Sequence, residues 1–362
     1  MKEIIIDAGR IYTKVVVLES TEDGATLRGR AVFPSLAVRV KKVDKKIIYY
    51  RHADFFYAAG YDCVDLKLEF GTNGTESRFF VNGKRRRAVV WTGMNPGDKE
   101  GSGQYLRLMM TKVLLDFCED GERVVVTLLF DSAERLEFLQ EITADLNGRE
   151  VALTALRGLD QCQITKRVGV NIWYLSSADA VLACVRRVFT GFQSVLAVDI
   201  GYGTTKVYLA DGEKGVDVFG VLNCGISSYY EKIIRLLREK GVRGVNFFWL
   251  LKQVEAGLRE IEVKENKGHN KKDFNISLVI DDVRWELNKG LKREIADMAM
   301  AHYTNTTQWA DALFINGGGA AFSGELLHVS MLDDGLIFKN VFIDTQSVCG
   351  LVDGFVQEHL SR

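Results

Sequence analysis

Residues 196–212 read LAVDIGYGTTKVYLADG. An apolar run ends on Asp199, breaks into Gly201-Tyr202-Gly203-Thr204-Thr205, and resumes as the alternation Lys206, Val207, Tyr208, Leu209. The pattern predicts two strands joined by a tight glycine turn, with a carboxylate at the tip of the first strand. Glycine tolerates positive φ and lets backbone N–H groups approach phosphate oxygens with no Cβ in the way. An Asp at the strand end can hold Mg²⁺ directly or through its waters, because magnesium keeps much of its hydration shell. Taken alone, such a stretch reads first as an ordinary β-hairpin, since Asp-x-Gly hairpins occur in many β proteins.

The same pattern opens the chain. Residues 3–20, EIIIDAGRIYTKVVVLES, repeat the apolar run, the Asp, the Gly, the turn, Thr-Lys and the apolar alternation. Aligning Asp7 with Asp199 brings Gly9 onto Gly201, Thr13 onto Thr205 and Lys14 onto Lys206. A repeat with a period near half the chain indicates two related domains rather than a solenoid. A length of 362 residues agrees, being too great for one ordinary core.

Strands and helices alternate between the two copies, which predicts α/β domains. Helices are expected at 103–120, 133–148 and 177–190, with a buried strand at 123–130. Residues 65–102 are rich in Gly and charge and predict hairpins and surface loops around a short strand at 86–93. The second half predicts helices at 227–241, 246–263 and 283–305, an exposed polar loop at 264–275, and a strand running into Gly317, Gly318 and Gly319. That third glycine cluster offers backbone on which a flat base can lie, or else a plain helix entry. The segment 340–360 reads as strand, turn and helix.

Composition narrows the function classes. The formal net charge is −1 with 47% hydrophobic residues, so no basic surface points to nucleic acid. The run Lys84–Arg87 (KRRR) lacks interleaved aromatics for base stacking and reads as a solvated loop or a subunit contact. Six cysteines (Cys63, Cys118, Cys162, Cys184, Cys224, Cys349) form no CxxC pair, and five histidines form no HExxH, so reduced, mostly buried thiols and no protein-held zinc are expected. No apolar run approaches the length of a membrane span, and Asp7 arrives too early for a secretory apolar region, so a cytoplasmic protein without a membrane is expected.

The ordered set "IDAGRIYTK", "SADAVLAC", "VDIGYGTTK", "INGGGAAF" and "TQSVCGLVDGF" resembles the actin-like ATPase fold, as phosphate loop one, first connection, phosphate loop two, adenosine loop and second connection. Within that fold, "FPSLAV", "VLNCGISSYYEKI" and "VCGLVDGF" resemble the plasmid-partition actins of the ParM type. The resemblance implies an α/β fold of two related domains with a nucleotide cleft between them, 1–176 with 345–362 returning to it, and 177–344. It implies ATP, with GTP admissible, and Mg²⁺ held by Asp7 and Asp199. Phosphate loop one would comprise Gly9, Arg10, Ile11, Tyr12, Thr13 and Lys14, and loop two Gly201, Tyr202, Gly203, Thr204 and Thr205. Gly225 would lie near the ribose or serve as a helix-entry turn. Glu255 and Arg259 would flank ribose or base, or form a surface ion pair. Gly317, Gly318, Gly319 and Ala320 would meet the adenosine.

The same resemblance puts Asp179 on the water-positioning site of the first connection, with Asp7 and Asp199 as the other catalytic carboxylates; capping the helix is its other reading. Two departures stand out. Arg10 sits where small or polar residues are common, and the usual Pro-Glu before the connecting helix is Ser176-Ser177 here. The implied activity is ATP hydrolysis coupled to filament assembly, with the chain itself and a DNA-binding adaptor as partners and no direct nucleic-acid contact. A small-molecule kinase or a non-polymerising activator of the same fold is the alternative.

Overall fold

The computed structural model describes residues 1–9, 12–21, 24–40, 48–52, 55–60, 68–70, 77–81, 84–88, 90–92, 98–157, 162–212, 215–240, 242, 250, 260–264, 271–303, 310–333, 338–344 and 356. The chain forms two compact units, Met1–Arg187 with Leu351–Arg362, and Val188–Gly350.

In the first unit the strands are β1 (Lys2–Ala8), β2 (Tyr12–Thr21), β3 (Gly24–Pro34), β4 (Leu36–Val40), β5 (Ile48–His52), β6 (Phe55–Ala59), β7 (Leu68–Phe70), β8 (Ser77–Val81), β9 (Lys84–Ala88), β10 (Val90–Thr92), β11 (Arg123–Phe130), β12 (Arg149–Arg157) and β13 (Cys162–Ser176). Its helices are α1 (Lys99–Phe117), α2 (Ala133–Thr143) and α3 (Ser177–Val188). Ten strands form one sheet in the order β10-β4-β6-β5-β12-β13-β11-β1-β2-β3, and β7-β8-β9 form a separate sheet. Strands β1, β11 and β13 run parallel, so their carboxyl ends share one edge. Ile4, Ile5 and Ile6 of β1 are all buried, as expected of a central strand covered on both faces.

The second unit contains β14 (Ser194–Ile200), β15 (Thr205–Asp211), β16 (Gly215–Leu222), β17 (Glu260–Lys264), β18 (Lys271–Asn275), β19 (Ala312–Asn316) and β20 (Asn340–Ile343). Its helices are α4 (Ile226–Glu239), α5 (Ser277–Tyr303) and α6 (Glu325–Asp333), with a π-helical turn at Ala320–Gly324 leading into α6. Its main sheet has the order β16-β15-β14-β19-β20, in which β14, β19 and β20 are parallel. The order β3-β2-β1-β11-β13 of the first unit is the same arrangement, so the repeat read in the sequence is a repeat of sheet topology.

Several expectations change. Helix α1 starts at Lys99 rather than Gly103, because the Asp98 side chain accepts the Gly101 N–H at 2.8 Å and caps an earlier turn. The expected helix 246–263 ends in strand: Glu260–Lys264 pairs with Lys271–Asn275, so part of the expected polar loop is the second strand of a ribbon. Ile261 and Val263 alternating with Glu260 and Glu262 is a period-two pattern, which outweighs the helical one. Lys84–Arg87 lies in a strand, paired with β8, and not in a loop. The hairpin β12–β13 is an addition to the expected elements. Helix α3 falls with the first unit, where Ser177 Oγ donates to the Phe130 carbonyl at 2.9 Å and ties the helix start to β11. Among the described residues, no helix is long and apolar enough to cross a membrane. Cys118 and Cys184 are buried, Cys224 is half-buried and Cys162 is exposed.

The first glycine turn is anchored from beneath. Thr13 is fully buried, and its hydroxyl bonds to Ser35 Oγ at 3.0 Å and to Tyr105 OH of α1 at 2.5 Å. Replacing it by valine keeps the shape and takes one hydrogen-bond partner from each of two buried hydroxyls, so Thr13→Val should cost about 1–3 kcal/mol. A urea-unfolding midpoint equal to that of the parent protein would show that the turn does not depend on this anchor.

Candidate functional site

Asp7 and Lys14 are directly opposite in the β1–β2 ladder, and Lys14 Nζ meets Asp7 Oδ2 at 3.1 Å. Between them the Gly9 N–H donates to the Tyr12 carbonyl at 3.1 Å and closes the turn. A Cβ on Gly9 would stand 2.7 Å from that same oxygen, so the closure requires glycine. Arg135 of α2, which carries no signal in the sequence, donates from Nη2 to the Ala8 carbonyl at 3.2 Å and braces the turn from the side.

The second turn repeats this construction. Asp199 and Lys206 are opposite in the β14–β15 ladder, and the Gly201 N–H donates to the Thr204 carbonyl at 2.9 Å. A Cβ on Gly201 would meet that oxygen at 2.8 Å. Tyr202, Gly203 and Thr204 are half-buried at the tip. Thr205, like Thr13, is fully buried and donates to the Cys224 carbonyl at 2.6 Å. The hydroxyls of Thr13 and Thr205, two residues that the resemblance places in the phosphate loops, point into the units and are used there.

Helix α4 docks on the second turn. The Ile226 N–H donates to the Gly201 carbonyl at 3.1 Å and the Ser227 N–H to the Tyr202 carbonyl at 2.8 Å. Gly225 is buried, and a Cβ on it would strike the Tyr202 carbonyl, so its helix-entry role is structural. Behind it, Tyr229 donates to Asn288 Oδ1 at 3.1 Å and meets Phe322 edge-on at 5.3 Å. Burial pushes the Tyr229 hydroxyl up to about 12 and raises the Cys224 thiol, so both stay protonated near neutral pH.

The glycine cluster divides into distinct roles. Gly317 has φ +92°, a conformation that favours glycine, and a Cβ there would collide with Asp199 Oδ1. Gly319 packs against Ile200 and Ile226. Gly318 alone of the three is exposed, and a Cβ placed on it would have nothing within 4 Å. Ala320 is buried inside the π-helical turn.

Asp179 is exposed in the first turn of α3. The hydrogen-bond cap of that helix is Ser176, whose Oγ accepts the Ala178 N–H at 3.2 Å. Asp7 and α3 both lie at the carboxyl edge of β1, β11 and β13, since Phe130 and Ser176 are register partners at the strand ends. Asp199 and Gly317 lie at the corresponding edge of β14 and β19. Carboxyl edges of parallel strands are where open α/β sheets bind ligands. Arg10, Ile11, Glu255, Arg259 and the stretch 345–355 lie outside the described residues. Among the described residues no group of three or more His, Cys, Asp or Glu side chains could hold a metal; each turn offers one carboxylate.

These contacts separate two neighbouring glycines. Gly317→Ala should lose about 1–3 kcal/mol of stability, whereas Gly318→Ala should leave it unchanged. Equal thermal midpoints for the two variants would contradict the geometry.

No protein-family model and no curated protein match the chain. Solved structures do. The archaeal actin homolog Ta0583 superposes with a TM-score of 0.66 at 13% identity, covering 100% of this chain and 98% of the other. A ParM from a 15-stranded filament of Clostridium botulinum gives 0.64 at 13% identity, covering 100% and 99%. Bacillus thuringiensis ParM with ATP gives 0.55 at 13%, covering 100% and 97%. With the same sheet topology in both units and agreement along the full chain, this protein has the actin-like fold.

Proposed function

We propose that this chain binds Mg-ATP through its two Asp-x-Gly turns, hydrolyses the nucleotide, and polymerises into filaments that segregate plasmid DNA or position other cargo in the cytoplasm. The observation that carries the reading is the duplicated turn: a glycine N–H closed on the carbonyl three residues on, beside an Asp–Lys pair at the carboxyl edge of a parallel sheet. Supporting it, the archaeal actin homolog was solved with ADP and the Bacillus thuringiensis ParM with ATP. The Clostridium botulinum ParM forms a filament.

The residues fit that ligand. The half-buried carboxylates of Asp7 and Asp199, each beside the backbone of a tight glycine turn, suit a hydrated cation. Bound Mg²⁺ would neutralise the charge developing on the phosphates. Lys14, paired with Asp7, would turn to a phosphate oxygen. Exposed Asp179 would orient the attacking water and accept its proton. Gly318 would give the adenosine an unobstructed stretch of backbone. Near-neutral charge fits a protein that reaches DNA through an adaptor.

Asp199→Ala should abolish ATP turnover and weaken Mg-dependent nucleotide binding; unchanged affinity and turnover would remove the assignment. Asp179→Ala should still bind ATP and pellet with Mg-ATP, yet hydrolyse at least about a hundredfold more slowly and leave longer-lived filaments. Parent-like turnover in that variant would reduce Asp179 to a favourable charge at a helix start. A parent protein that stays monomeric in sedimentation with Mg-ATP would exclude the filament and favour a kinase or scaffold.

A further inference from the structure

Asn316 ends β19 with 1% of its surface exposed, and neither its Oδ1 nor its Nδ2 has a hydrogen-bond partner. A buried carboxamide with both ends unmet calls for an explanation, because buried polar groups are nearly always paired or hold water or an ion. The strand register indicates its surroundings. Asn316 is the ladder partner of Asp199 in the parallel pair β14–β19, so the two share a sheet face at neighbouring positions. On the other side β20 also runs parallel, Ile343 opposite Ile315, and the Asp344 N–H donates to the Ile315 carbonyl at 2.8 Å. Asp344 is thereby level with Asn316. Three adjacent parallel strands thus end in the row Asp199, Asn316, Asp344, with neighbouring strands about 4.8 Å apart.

The chemistry of that row is selective. Ionised carboxylates only accept hydrogen bonds, while a carboxamide offers one acceptor and two donors. A bare anion placed at Asn316 would meet two flanking carboxylates and be repelled. A hydrated divalent cation fits: its waters donate to the carboxylates and to Asn316 Oδ1, and its charge lies between the two acids. Magnesium in particular keeps several waters and uses one or two carboxylates. The Nδ2 hydrogens remain for a carboxylate oxygen.

We propose that Asn316 is a positioning residue for the hydrated magnesium of the nucleotide, accepting a metal-bound water that Asp199 shares, with Asp344 closing the row. The inference rests on the Mg-nucleotide reading above and adds a metal-coupling role to the second unit. Its signal in the sequence is the polar residue ending an otherwise apolar strand, Ala312-Leu313-Phe314-Ile315-Asn316, just before the glycine cluster.

The test is the affinity of the full chain for a fluorescent ATP analogue, measured with Mg²⁺ and with EDTA. In the parent protein Mg²⁺ should tighten binding. Asn316→Leu, close in size and without polar atoms, should lose about tenfold or more of that Mg-dependent gain while metal-free affinity holds. Its ligand-free thermal midpoint should be no lower than the parent's, since no hydrogen bond is lost. Asn316→Asp should keep the gain, because a carboxylate also accepts from the metal's water. If the leucine does not fit, Asn316→Ser, which cannot overpack, should show the same uncoupling as Asn316→Leu. A parent-sized Mg-dependent gain in Asn316→Leu or Asn316→Ser overturns the proposal, as does an equal loss with and without metal. A parent protein whose nucleotide binding ignores Mg²⁺ overturns instead the reading on which the proposal rests.

Discussion

A glycine N–H reaching the carbonyl three residues ahead, with no room for a Cβ between them, is the constraint on which both halves of the molecule depend. In each unit it folds the chain back so that an Asp on one strand faces a Lys on the next. The antiparallel pair then sits beside a parallel strand, β11 in one unit and β19 in the other. The carboxylate accordingly arrives at the edge where parallel strands end, and that placement follows from backbone geometry rather than from side-chain packing.

The surrounding structure keeps these turns rigid in two different ways. The first is held from below by the buried Thr13, Ser35 and Tyr105 hydroxyls and from the side by Arg135. The second is held by Thr205 and by the first N–H groups of α4, which are consumed by carbonyls of the turn. Those helix-terminal N–H groups, often an anion site, are thereby committed to structure. The polar groups at the carboxyl edges of the parallel strands include the Asp7 and Asp199 carboxylates, the turn backbones and the unmet amide of Asn316.

The repeat is legible in the sequence because its signal is local: the same residue types recur at the same spacing in both halves, and turn chemistry depends on near neighbours. The strand at 123–130 and the helix at 177–190 are legible for the same reason, apolar periodicity bounded by clear stops. What depends on partners distant in the chain is not. Thr13 and Thr205 look like ligand residues because they follow the turns, and only burial shows their hydroxyls facing inward. The ribbon β17–β18 is hidden because a charged segment with only Ile261 and Val263 to mark its alternation continues directly from a helical pattern. Arg135 lies in no motif, and Asn316 lies within the adenosine-loop stretch without standing out in it; their places follow from the Arg135 contact with the Ala8 carbonyl and from the ladder register beside Asp199.

The central claim, that the two glycine turns bind nucleotide, is tested most directly by hydrogen exchange of the intact protein with and without Mg-ATP. The account predicts slowed exchange in peptides covering residues 7–14 and, at the same nucleotide concentrations, in peptides covering 199–206. Protection of one turn without the other, or of neither under conditions where nucleotide binds, would contradict it.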